Sequence, residues 1–258
     1  MSTYPFGRAL VTGASAGIGE SFARLLAKAG VPVVVVARRH DRLTALASEF
    51  ANIEVLQADL QTQDGIDAVI SRLNDTNNPI DLLVNNAGFG TSGVFDLIDP
   101  ERTTQEIALN VNALVRLTHA AINAFLPRQH GYVLNVSSVG AFQAGPTLAV
   151  YAATKAFVTS FTEAVHEENR KRGVHVTALH PGFVPTEFQA VSSAKDTTSD
   201  IPKFMWLKPE RVAHAGLVAV ARNKAISVPS VLYKTLVIIT KIFPRGAMRR
   251  IAGSIIAD

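Results

Sequence analysis

The sequence predicts an α/β protein built on one doubly wound parallel sheet of about seven strands, with helices on both faces. Three observations carry this expectation. Apolar runs alternate with amphipathic segments from Arg8 to Leu179. The runs are rich in Val, Ile and Leu with little polar alternation, as strands buried on both faces require. The first run ends in a glycine-rich turn that opens a helix, Thr12-Gly13-Ala14-Ser15-Ala16-Gly17-Ile18-Gly19. Strand–helix alternation of this kind implies right-handed βαβ units.

In order, strands are expected at 8–12, 33–37, 53–57, 82–85, 132–137 and 174–179, with a short last strand at 225–228. Helices are expected at 19–29, 41–50, 62–73, 101–126, 150–172 and 209–222. No linker or shift in composition divides these elements, so residues 1–258 read as a single domain. Residues 183–206 differ. The stretch Ser192-Ser193-Ala194-Lys195-Asp196-Thr197-Thr198-Ser199-Asp200 is polar and aperiodic and directly follows a strand end. It reads as a substrate lid; the competing reading is a plain surface loop.

The C-terminal tail, 229–258, holds apolar patches broken by Pro229, Pro244 and Gly246. The net charge of +4 belongs to this end, where Arg222, Lys224, Lys234, Lys241, Arg245, Arg249 and Arg250 face only Asp258. Packing and oligomer contacts are the expectation for the tail. A helical flap over the substrate mouth belongs with that reading, and peripheral attachment to an anionic membrane is the alternative. No basic-aromatic pattern accompanies the charge, so nucleic acid is not an expected partner.

Cysteine is absent, which excludes disulfides and thiolate metal sites and suits a reducing cytosol. No apolar signal segment precedes the first strand, and no uncharged run reaches the roughly 18 residues of a membrane span. The nearest, 231–242, contains Lys234 and Lys241. A cytoplasmic location is the expectation. The histidines are scattered, without metal-ligand spacing; His166, His175 and His180 read as structural or solvated. Ser138 lies in Val136-Ser137-Ser138-Val139-Gly140, not in the elbow of a serine hydrolase.

A glycine turn between a first strand and a first helix is a dinucleotide-binding device. Gly13 permits the tight turn, Gly17 lets the backbone approach a pyrophosphate, and Gly19 lets helix and strand pack closely. The amides of Ser15 and Ile18 and the helix N-terminus then favour phosphate. Farther on, Tyr151 and Lys155 stand four residues apart, on one face of a helix, thirteen residues beyond Ser138. A phenol titrates near about 10. A neighbouring ammonium favours the phenolate and suits the pair to proton exchange.

These motifs fall in a fixed order: Gly-x-x-x-Gly-x-Gly from Gly13; Asn85-Asn86-Ala87-Gly88; Asn110 with Thr118; Ser138; Tyr151 and Lys155; then Pro181-Gly182 with Thr186. In this the chain resembles the short-chain dehydrogenase/reductase family, in its single-domain branch, over residues 6–228. The resemblance implies a Rossmann fold and hydride transfer between a nicotinamide and a carbonyl or secondary alcohol. It implies that Tyr151 is the general acid and base. Lys155 lowers its pKa and bonds the nicotinamide ribose, and Ser138 polarises the substrate oxygen. Asn110 holds a water that relays protons. It also implies cofactor contacts at Asp59, Leu60, Asn86, Ala87, Gly88, Pro181, Gly182, Val184 and Thr186. Asp59 also reads as a helix N-cap. Homodimers or homotetramers through the two long helices are common in the family.

Ala37-Arg38-Arg39 ends the second strand, where an acidic residue would select NAD. Two guanidiniums suit a 2′-phosphate, so NADP(H) is expected over NAD(H). The alternative is a solvated helix start, and Ala16 stands where many NADP-using relatives carry a basic residue. Phe89, Phe142, Gln143, Phe183 and Trp206 are candidates for an apolar substrate pocket, against ordinary packing under the lid. Two further functions compete: a non-catalytic NADP-binding regulator, and a membrane-peripheral interaction protein. The first typically lacks the tyrosine or the lysine, and both are present here.

Overall fold

The computed structural model describes residues 3–188, 201–244, 246, 249 and 250. Seven strands form one sheet: β1 (Ala9–Thr12), β2 (Val33–Ala37), β3 (Ile53–Gln57), β4 (Leu82–Asn85), β5 (Gly131–Val136), β6 (Val174–Leu179) and β7 (Ile226–Ser227). All pair in parallel, in the order β3-β2-β1-β4-β5-β6-β7. The helices are α1 (Gly17–Lys28), α2 (His40–Glu49), α3 (Gln63–Leu73), α4 (Pro100–Ile107), α5 (Leu114–Phe125), α6 (Ala149–Asn169), α7 (Pro209–Ala221) and α8 (Val231–Ile242). The strand order reverses between β1 and β4. That opens a crevice at the strands' carboxyl ends, the usual ligand site of such sheets.

The period-two pleat explains the apolar runs. Ala9, Val11, Val33, Val35, Leu82, Val84 and Leu134 join a core with Phe22 and Leu26 of α1 and Leu217 of α7. The alternate residues Leu10, Val34, Val36, Leu83, Val133 and Val176 join a second core with Val69 of α3 and Leu117 and Phe125 of α5. β1, β2 and β4 serve both faces, so no polar alternation survives in their sequences.

The polar residues on these strands are paired with one another. Asn85 Nδ2 donates to Asn135 Oδ1 at 2.9 Å and to Thr118 Oγ1 at 3.0 Å. Asn135 Nδ2 donates to Thr162 Oγ1 at 3.0 Å. All four side chains are buried. This chain of bonds ties β4 and β5 to α5 and α6 beneath the candidate site.

One expectation needs correction. The helix expected at 101–126 is interrupted by a π-helical turn, Ala108–Ala113, between α4 and α5. Asn110 sits in that turn, and its amide donates to Phe89 O at 2.8 Å and accepts from Phe89 N at 3.1 Å. Bonding to the backbone beyond β4 goes with the widened turn, a feature often found at functional sites. The tail forms a helix, α8, between Pro229 and Pro244, in keeping with the helical flap among its readings. Among the described residues, no helix is long and apolar enough to cross a membrane.

Asn135→Ala removes the centre of the buried chain and leaves Asn85 and Thr162 each short of a partner. A loss of about 2–4 kcal/mol in unfolding free energy is expected by denaturant titration. A loss under about 0.5 kcal/mol would show that the chain contributes nothing to stability.

Candidate active site

The glycine turn takes the shape that its residues require. Gly13 and Gly17 have φ of 65° and 60°, where side chains are strained. A Cβ on Gly13 would lie 2.8 Å from Asn86 Nδ2, and one on Gly17 would lie 2.9 Å from Thr186 Cγ2. Gly19 instead backs onto Gly13 O and serves helix–strand packing. Thr12 knots the two sides of the crevice: its Oγ1 donates to Val84 O at 3.2 Å and accepts from Asn86 N and Ala87 N, each at 3.0 Å. No side chain caps α1, so the amides of its first turn remain available at the crevice.

From this turn a cavity of about 830 Å³ runs along the strand ends. Its near end is walled by Ser15, Arg38, Arg39, Asp59 and Leu60, and its far end by Ser138, Gln143, Tyr151 and Lys155. Asn86, Ala87, Gly88, Pro181, Gly182, Val184 and Thr186 line the middle. The glycine cradle, the uncapped helix and the volume of the cavity fit a dinucleotide. Of the residues expected at the site, Gly19, Asn110, Phe142 and Trp206 do not line it. Asn110 lies behind the wall, with its Nδ2 also donating to Thr154 Oγ1 at 3.2 Å. Trp206 packs its ring 5.8 Å from that of Phe183 and donates to Ile201 O; the adjacent Met205 reaches the cavity in its place. Phe142 stacks on His180 at 4.8 Å instead of facing the cavity. Residues 189–200 of the expected lid lie outside the described residues. The N-cap of α3 is Thr62, which accepts from Gly65 N, while Asp59 accepts from Gln61 N.

Ser138, Tyr151 and Lys155 meet at the inner end. Ser138 stands two residues beyond the end of β5 and hydrogen-bonds the phenol of Tyr151, while its Oγ accepts from Gly140 N at 3.0 Å. Lys155 is buried, with Nζ donating to Val136 O at 2.9 Å and standing 5.8 Å from the centre of the Tyr151 ring. Desolvation dominates both groups. It pushes the phenol up to about 12; the Ser138 bond opposes this and Glu106 adds to it. It pulls the ammonium down to about 8, with Glu106 opposing. The expected depression of the phenol by Lys155 is therefore not found here. Burial penalises each charged form more than the pair's separation compensates.

The sequence and fold comparisons agree with this geometry. The family model for short chain dehydrogenases matches residues 8–197. The chain belongs to the short-chain dehydrogenase family. An uncharacterised oxidoreductase of Staphylococcus aureus strain MRSA252 is 30% identical over 222 residues, covering 85% of this chain and 93% of the relative. A short-chain dehydrogenase of Sphingobium yanoikuyae, solved in complex with NADPH, superposes with a TM-score of 0.81 at 30% identity, covering 92% of this chain and 96% of that one. A bulky-bulky ketone specific alcohol dehydrogenase of Comamonas testosteroni superposes with a TM-score of 0.77 at 28% identity, covering 93% and 95%. The chain is thus an oxidoreductase of this family.

This short-chain dehydrogenase carries site residues that sequence reasoning missed. Tyr233 of α8 is buried; its hydroxyl donates to Met205 O at 2.8 Å and accepts from Phe183 N at 3.1 Å. Its ring fills the space that a side chain on Gly182 would need. That contact pins α8 over the cavity, where Leu236, Val237, Ile239 and Thr240 form a wall. Phe188 packs its ring 5.3 Å from Tyr151. Glu106, fully buried in α4, has its carboxyl raised by desolvation, against the opposing effects of Thr91, Lys155 and Arg102. A lone tyrosine in an apolar tail and a glutamate in a polar helix give no local signal of these roles.

The depressed Lys155 has a definite linkage. Between about 8 and the ordinary 10.5 the unfolded chain binds more protons than the folded one, so this group's contribution to stability rises with pH through that window. Lysine-resolved NMR of the cofactor-free protein is expected to show one ammonium titrating near 8 and absent from Lys155→Met. Glu106→Gln removes the carboxylate that opposes the depression and is expected to lower the midpoint further. Titration of all lysines above about 10 would refute the reading.

Proposed function

We propose that the chain is an NADP(H)-dependent carbonyl reductase or alcohol dehydrogenase, with an apolar ketone or aldehyde, or the matching alcohol, as substrate. The observation that carries this reading is the Ser138–Tyr151–Lys155 group, with Lys155 buried, at the inner end of a cavity that begins at a glycine turn. Bound NADP(H) supplies or accepts the hydride at the substrate carbon. The chain's own residues manage the proton. A phenol held neutral up to about 12 is a proton donor at neutral pH. Tyr151 gives its proton to the substrate oxygen as charge develops there, and takes it back in the reverse direction. Ser138 donates a hydrogen bond to the same oxygen.

Lys155, with a pKa of about 8, is still mainly a cation at neutral pH and stabilises the phenolate that forms. Asn110 supports the proton path from behind. A Cβ on Gly88 would lie 2.8 Å from Asn110 Oδ1 and 3.5 Å from Lys155 Nζ, so the two groups flank one glycine. A water bridging them would relay protons toward solvent.

The NADP(H) preference rests on Arg38 and Arg39 at the near end and on Ala37 where an acidic residue would accept ribose hydroxyls. The NADPH bound in the Sphingobium structure supports it. The apolar substrate follows from Leu148, Phe183, Met205, Leu236 and Ile239 on the cavity wall, with Gln143 as a single polar contact. The bulky ketones of the Comamonas enzyme fit the same character. Phe157 is exposed on α6 and stacks on Phe161 at 5.9 Å, an apolar patch that suits self-association through the long helix. Light scattering is expected to report a dimer or tetramer; a monomer at micromolar concentration would remove that part of the reading.

Cofactor oxidation assayed against ketones and aldehydes is expected to show higher kcat/KM with NADPH than with NADH. Tyr151→Phe is expected to lower kcat by at least about 10²-fold while leaving NADPH binding intact. Near-wild-type turnover in that variant would sink the mechanism, and greater efficiency with NADH would reject the cofactor assignment.

A further inference from the structure

The two arginines at the near end of the cavity are each matched by a carboxylate. Arg39 lies across the glycine turn: its Nε donates to Ser15 Oγ at 3.2 Å and its Nη2 to the same atom at 3.0 Å. Its Nη1 donates to Glu187 Oε2 at 2.7 Å. All three guanidinium nitrogens therefore have partners. Arg38 Nη1 stands 3.9 Å from Asp59 Oδ2. Glu187 comes from the far side of the crevice, just beyond Thr186, which packs on Gly17. The Arg39–Glu187 pair thus bridges the wall at the adenosine end, joining residues 148 apart in sequence.

We propose that Glu187 is an internal competitor for the 2′-phosphate of NADP(H): its carboxylate occupies the donor face of Arg39 that the phosphate needs, and so sets the margin by which NADP(H) is preferred over NAD(H). This rests on the NADP(H) reading above and names the residue that tunes it. A carboxylate and a phosphate make the same demand on a guanidinium, a planar pair of acceptors with negative charge. The phosphate carries more charge, so it displaces the carboxylate. The exchange is inexpensive because the pair is exposed, with side chains 43% and 49% accessible, and exposed pairs contribute little on their own. NAD(H) has no group that needs this face of Arg39, so Glu187 leaves its affinity unchanged. A glutamate at the start of the expected lid thereby restrains cofactor selectivity without touching the reacting atoms.

Direct titration of NADPH and NADH by calorimetry, on wild type, Glu187→Gln, Arg39→Gln and the double variant, tests this without any turnover. Glu187→Gln is expected to tighten NADPH about three- to fivefold and to change NADH less than about twofold, as loss of one exposed pair allows. Arg39→Gln is expected to weaken NADPH by roughly tenfold or more, because a charge-assisted bond is lost. In the Arg39→Gln background, Glu187→Gln is expected to have no effect on NADPH, the mark of direct coupling. The fragment 2′,5′-ADP, compared with 5′-AMP, is expected to follow NADPH and locate the effect at the phosphate. Unchanged NADPH affinity in Glu187→Gln, or equal tightening of both cofactors, overturns the proposal. Weakening of both would make Glu187 a clasp over the cofactor instead, and also overturns it. Unaltered NADPH affinity in Arg39→Gln also overturns the proposal, since Arg38 remains; if wild type binds NADH as tightly as NADPH, the NADP(H) reading itself fails, an outcome separate from failure at Glu187.

Discussion

Parallel pairing of all seven strands puts every carboxyl end on one edge of the sheet, and the site hangs from that edge. The glycine turn follows β1, Arg38 and Arg39 follow β2, Asp59 follows β3, and Asn86 follows β4. Ser138 follows β5 and Gly182 follows β6. Each arrives at the same crevice because its strand points the same way. The crevice opens at β1 and β4, where the chain changes direction across the sheet and the following helices part to opposite faces. Thr12, bonded to Val84, Asn86 and Ala87, keeps those two strand ends at a fixed spacing.

Burial on both faces imposes a second condition. A polar group on such a sheet must find a partner within the protein. Asn85, Thr118, Asn135 and Thr162 satisfy one another, and the histidines follow the same rule. His166 bonds Val176 O, His175 bonds Val220 O, and His180 bonds Thr159 Oγ1. Residues that look reactive in isolation are structural once their partners are counted. Lys155 is the exception: a buried cation with one backbone acceptor, held beside the cavity.

The site therefore has two electrostatic regimes. At the inner end charge is costly, and desolvation pushes both Tyr151 and Lys155 toward their neutral forms. At the outer end Arg38 and Arg39 are solvated and paired with carboxylates, so charge is inexpensive and exchangeable. A dinucleotide spanning the cavity would bring one end to the solvated arginines and the other to Tyr151 and Lys155. That division suits binding by charge at one end and proton transfer at low dielectric at the other.

Local pattern in the sequence determined a great deal. Strand burial was legible in β1, β2 and β4 because both faces of these strands are apolar. The glycine turn was legible because positive φ at Gly13 and Gly17 demands glycine. Tyr151 and Lys155 were legible because a helix brings residues four apart together. The π turn at Asn110, the clamp of Tyr233 on Gly182, the burial of Glu106 and the Arg39–Glu187 pair were decided by tertiary structure alone. Each depends on groups far apart in sequence, and no periodicity records such a meeting. The direction of the Tyr151 and Lys155 shifts belongs to the same class. Sequence spacing predicts a nearby cation, but only the folded protein sets how much water is removed from both groups, and here that removal outweighs their attraction.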